Sequence, residues 1–192
     1  MFPAEKLIAA GGEIYCHLFE NTHTGVPRNV YWSITINFHP IEYDGKRLKP
    51  CSMTCEWLTW PLRDWRQLEG QSLDLQYGDG GSESSFYLWE HHTGSATRLR
   101  IGTRDGARFD VAMEMVVDFE GTSAADRDPA MVVRAQALLP FIGVFVSPDG
   151  LGPEAVTPAE ITSAVAPFLD PTVFQAPQPW RHTYRMEPLP GI

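Results

Sequence analysis

Lysine is nearly absent from this chain. Three occur, at Lys6, Lys46 and Lys49, and every basic side chain after them is arginine. Acidic side chains outnumber basic ones, and the formal net charge is -9. A protein that reads nucleic-acid phosphates needs a basic footprint, so this balance argues against that class and against an anionic membrane surface. It suits a basic protein partner or a cationic ligand instead. Cysteine is also scarce. Cys16, Cys51 and Cys55 make an odd number, which completes no disulfide framework. Cys51 and Cys55 lie four apart in an apparent strand, which separates them by about 13 Å. That is beyond disulfide reach, and buried reduced thiols in a cytoplasmic protein are the expected state.

Long apolar runs are missing too. No stretch approaches the roughly 18 residues of a membrane span. The run Leu7 to Ala10 falls short of the about 7–15 residues of a signal-peptide core. Ala137 to Val146 is interrupted by Pro140 and Gly143. Catalytic and metal-binding signatures are likewise absent. The six histidines, His17, His23, His39, His91, His92 and His182, form neither His-x-His nor His-Glu-x-x-His, and no Cys-x-x-Cys occurs. Strand neighbours point to opposite faces, so His91 and His92 cannot chelate one ion together, and Cys16-His17 is not a nucleophile dyad. Gly78 to Gly81 lacks the Gly-Lys-Ser/Thr of a phosphate loop. No Gly-x-Ser-x-Gly elbow occurs, and Asp79 and Glu83 do not make calcium-loop spacing. No cofactor, metal or catalytic set is expected.

What is present is strand patterning. The hydrophobic fraction of 43% is enough for a core. From Val30 to His39, Val30, Trp32, Ile34, Ile36 and Phe38 alternate with polar or amphipathic neighbours, which defines one buried face. Glu13 to Glu20 is apolar on both faces, so both are expected to be covered. Pro50 to Thr59 reads as a further strand. Pro61, the spacing of Leu62, Trp65 and Leu68, and Gly70 predict a short helix near 61–69.

A meander from about Leu73 to Phe119 follows. A two-residue turn at Thr93-Gly94 would pair Leu88 with Leu99 and Phe86 with Ile101, placing Trp89 opposite Arg98 and Tyr87 opposite Arg100. A three-residue Arg104-Asp105-Gly106 loop would pair Ile101 with Phe109 and Arg100 with Asp110. The two-residue alternative at Asp105-Gly106 would face Asp110 inward. Met131 to Val146 supplies one or two more strands, broken near Pro140.

After Ser147 the composition changes, and nine of the sixteen prolines fall there. Thr157, Pro158 and Glu160 predict a capped helix over 158–166, with Val156 and Ile161 in staple positions. Residues 171–192 read as an aromatic-bearing arm that docks on its own domain or on a neighbouring subunit.

The expected fold is therefore mainly β: one antiparallel β-sandwich or open barrel over residues 1–146, with a proline-rich extension over 147–192. Its most informative surface is the outer face of the meander, where Tyr87, Trp89, Arg98, Arg100, Asp110 and Glu114 should adjoin. Aromatic residues and arginine are enriched at binding hot spots. Cross-strand pairing on a solvated face, or cover by the C-terminal segment, would explain the same residues. Asp110 and Glu114 lie about 13 Å apart along a strand, outside the roughly 5–9.5 Å of glycosidase carboxylate pairs. The expected function is a non-catalytic binding or protein-interaction module, with a protein partner or self-association. One alternative is a small-ligand carrier or enzyme with an interior pocket lined by Trp32, Phe38, Met113 and Met115. The other is a homo-oligomer that exchanges its arm.

Overall fold

A computed structural model describes residues 4–43, 45–48, 51–78, 81–88, 90–117, 131–147 and 157–191. Its strands are β1 (Ala9–Asn21), β2 (Val26–Phe38), β3 (Ile41–Tyr43), β4 (Lys46–Leu48), β5 (Cys51–Leu58), β6 (Ser72–Gln76), β7 (Glu83–Leu88), β8 (Glu90–Asp105), β9 (Arg108–Val117), β10 (Met131–Val146), β11 (Gln178–Trp180) and β12 (Thr183–Met186); the helix α1 spans Pro158–Val165. The wall runs β1–β2–β5–β7–β8–β9–β10, and β10 returns to β1, which closes a barrel. Neighbours within the wall are antiparallel, but the closing joint is parallel, with Ile14 opposite Phe141 and Leu18 opposite Val146. The barrel is therefore mixed rather than wholly antiparallel.

Period-two alternation fills the interior. Trp32, Ile34, Ile36, Met53, Phe86, Leu99, Phe109, Met113 and Met115 belong to one buried core. Trp32, Phe38, Met113 and Met115, expected around an interior pocket, all pack within it. β10 is one strand, not two. Its first part pairs with β9 as far as Pro140, and from Phe141 it pairs with β1. Proline has no N–H to donate, and here it stands where the ladder changes partner. Gly143 has φ of +121° at the register step of the closing joint, and a Cβ there would meet the Met186 carbonyl. Only glycine fits such a position.

Three local expectations need correction. The helix at 61–69 is a single 3-10 turn, Trp65–Leu68, capped by Asp64, whose side chain accepts from the Arg66 N–H. The Gln67 side chain closes the capping box, so the turn starts after Pro61, not at it.

The β7–β8 hairpin pairs Leu88 with Glu90 and Phe86 with His92. Thr93-Gly94 lies inside β8, and Leu99 pairs with Leu73 of β6. The apolar partner that the sequence assigns to β7 is thus supplied by β6, which follows β7 along the same edge of β8.

The β8–β9 turn falls at Gly106-Ala107, pairing Asp105 with Arg108. A register shift between Ile101 and Arg104 then restores parity and sets Ile101 opposite Val111. The inward alternation survives because a bulge absorbs one residue.

The helix α1 forms as its capping box requires, with Thr157 accepting from the Glu160 N–H and Glu160 reaching back. Val156 of the expected staple lies outside the described residues. Beyond the helix, β12 pairs with β10 (Val144 opposite Met186) and β11 pairs with β12. Phe174 and Met186 are buried in the core.

Candidate functional site

The expected surface divides in two. Tyr87 sits opposite His91, with ring centroids 5.0 Å apart, and is remote from the arginines along β8. Trp89 lies outside the described residues. Arg98, Arg100, Asp110 and Glu114 do share the outer face of the other half of β8 and its neighbours. There the registers place Asp74, Arg98, Glu114 and Arg134 in one row across β6, β8, β9 and β10. Arg98 Nε donates to Asp74 at 3.0 Å, its Nη1 lies 3.7 Å from Glu114, and Arg134 Nε donates to Glu114 at 2.6 Å. Gln136 donates to both oxygens of Asp110, at 2.9 and 3.0 Å. Arg98 faces Glu114, and Arg100 faces Ala112 rather than the expected Asp110. The charges of this row alternate and meet one another, as cross-strand pairs on a solvated sheet do.

A second constellation stands on the outer face of β1, β2 and β5. It begins with a bulge. Ile34 pairs with Cys55 and Trp32 with Leu58, so both Glu56 and Trp57 stand opposite the single residue Ser33. Trp57 takes φ of +61°, a left-handed conformation rare for a residue with a bulky side chain. The bulge therefore presents two consecutive side chains to one face, which regular alternation forbids.

The Trp57 ring meets three others edge-on: His17 at 4.9 Å, Phe19 at 5.1 Å and Tyr31 at 5.5 Å between centroids. Tyr15 packs against Phe145 at 5.7 Å and flanks His17. Burial lowers the pKa of His17, so at neutral pH it is an uncharged ring among rings. The Tyr31 hydroxyl donates to the Pro27 carbonyl at 2.8 Å, which ties the β2 edge of the cluster to the hairpin above it.

A depression of about 490 Å³ opens beside this cluster, between the β1–β2 hairpin, Thr59 and Glu83, and is walled by Phe19, Tyr31 and Trp57. A second, also about 490 Å³, shares Gly81 and Glu83 with the first. Glu56, Tyr77, Ser85 and His91 line the second. The two depressions, which adjoin at Gly81 and Glu83, make up the cleft.

Glu56 and Glu83 are directly opposed across β5 and β7. Burial raises the pKa of Glu56, the Glu83 charge raises it further, and His91 acts in the opposite direction. Among the described residues no lysine or arginine lines either half. The Ser82 hydroxyl donates to the Trp57 carbonyl at 3.3 Å, bracing the bulge from the β7 side.

Among the described residues no group of three or more His, Cys, Asp or Glu is placed to hold a metal ion. The three thiols are buried and free. Burial pushes Cys51 up to about 11 and Cys55 up to about 12, and Cys16 well above its ordinary range. Such thiols stay protonated and unreactive.

The sequence carried one signal for this site. The strand at Glu13 to Glu20 is apolar on both faces, and its outward residues Tyr15, His17 and Phe19 are those of the cluster. The bulge had no such signal, because Cys-Glu-Trp-Leu contains no glycine or asparagine to announce a left-handed residue. No protein-family model, curated protein or solved structure matches this chain.

Proposed function

We propose that this protein is a non-catalytic binding module whose ligand site is the cleft centred on Glu83. The observation that carries this reading is Trp57, held in a strained conformation at a bulge and walling a depression with Phe19 and Tyr31. Bulges and left-handed non-glycine residues concentrate at functional sites, where the surrounding structure sustains their cost. The volume of each half falls within the roughly 300–1,000 Å³ typical of small-molecule sites. In the Arg98 row the charges meet one another, which supports a role in pairing the strands of the sheet face and makes the cleft the preferred recognition surface.

Two-dimensional NMR of isotopically labelled protein tests the assignment. Small neutral and charged fragments should shift the Trp57 indole signal, identified by its loss in Trp57→Phe. Fragments that bind without moving that signal, or that shift residues around Met113 in the interior, would sink the cleft and favour an interior pocket.

A further inference from the structure

We propose that the cleft takes an organic ammonium ion, a quaternary or alkylated amine whose charged head meets the Phe19, Tyr31 and Trp57 rings and the Glu83 carboxylate. The ligand class rests on the cleft being a ligand site, and three features of the cleft point to it. First, aromatic rings attract a cation through their quadrupoles, most strongly tryptophan, and groups of rings recognise quaternary ammonium ligands in this way. Second, Glu56 and Glu83 are directly opposed, and like charges in that relation destabilise a sheet unless a cation offsets them. Among the described residues the lining offers no lysine or arginine to do so, and its histidines are His91 and His92. Third, the two halves of about 490 Å³ each leave room for a bulky head with an attached chain.

An inorganic ion fits less well. Calcium takes about 6–8 oxygen ligands and magnesium close to six. The described residues assemble no metal-holding group of three or more acidic, histidine or cysteine side chains. The rings, moreover, would contribute nothing to a small hydrated ion that they contribute to an alkylated one.

The test compares choline with its uncharged isostere 3,3-dimethylbutan-1-ol, using the Trp57 indole signal and calorimetry on the full chain. Choline should bind saturably, with the isostere about tenfold weaker or worse, since the charge adds the cation–π and carboxylate terms. Glu83→Gln should weaken choline about fivefold to tenfold and leave the isostere unchanged. Glu83 is exposed and faces another carboxylate, so this variant should fold, and its melting temperature confirms that. Trp57→Leu should weaken both compounds, and Glu114→Gln, in the Arg98 row, should weaken neither.

Equal affinity for choline and the isostere would overturn the ammonium assignment while leaving the cleft as a ligand site. Unchanged choline binding in Glu83→Gln would do the same. Failure of both compounds to move the Trp57 signal would overturn the two together. Displacement of choline by calcium chloride at matched ionic strength, acting through Glu83 alone, would replace the organic cation with an inorganic one.

Discussion

Trp57 carries a main-chain conformation that its side chain opposes. Left-handed φ brings Cβ toward the carbonyl oxygen and costs about 1–2 kcal/mol for an ordinary residue. Trp57→Gly should therefore be more stable than Trp57→Ala by about 1 kcal/mol, as read by urea denaturation, because both lose the ring and only glycine sheds the strain. Equal stabilities would mean that the bulge relaxes in the variants. His17 makes a second prediction. Its folded pKa lies below the ordinary 6.5, so as pH falls through 6.5 the unfolded chain takes up a proton that the folded chain refuses. Stability falls with that uptake. Between about pH 7.5 and pH 5.5 the melting temperature should drop, and His17→Phe should narrow the drop while keeping the ring cluster. His92, lowered in the same direction by burial, accounts for part of what remains. At this scale the aromatic outward face of β1 was legible from its pattern. The left-handed Trp57 was not, because neighbouring strands impose it and its own residue type argues against it.

At the scale of elements, local chemistry was readable and competition between elements was not. The capping box of α1 is written in four consecutive residues and formed as read. Thr157→Ala should cost about 1 kcal/mol, seen as a loss of melting temperature without change in the barrel strands. The β7–β8 register is a different problem. Leu88 with Leu99 is a sound apolar pair, but Leu73 of β6 competes for the same edge of β8 and takes it. No local rule ranks those two partners. In the row that results, Asp74–Arg98–Glu114–Arg134, Glu114 is half-buried and the other three are exposed. A double-mutant cycle on Arg98 and Glu114 should give a coupling of about 0.5 kcal/mol, reduced in high salt. A coupling several times larger would show that the row holds β8 in place rather than merely decorating it.

For the molecule as a whole, the C-terminal segment belongs to the structural core. Val173, Phe174 and Met186 are buried, and β12 pairs with β10 beside the closing joint. Ending the chain after Asp170 should lower stability by several kcal/mol, at about 1.5–3 kcal/mol for each large apolar side chain returned to water. Urea denaturation of the truncated chain measures it, and a loss below about 1 kcal/mol would mean that the segment packs only loosely. The mainly β class and the barrel or sandwich choice followed from alternation and turn spacing. The parallel closure between β1 and β10 did not, because two strands more than a hundred residues apart leave no mark of their pairing in either.

That closure has a consequence for how the chain comes to be folded. β1 finds β2 at once through a short hairpin, but its other edge is satisfied only when β10 has been made. During synthesis, and on dilution from denaturant, β1 therefore presents an unpaired row of backbone groups for as long as the intervening strands take to assemble. Pairings of such sequence separation form slowly, and an open edge of this kind will accept a strand from another molecule. Refolding yield should accordingly fall as protein concentration rises, and the aggregates should be rich in intermolecular β structure.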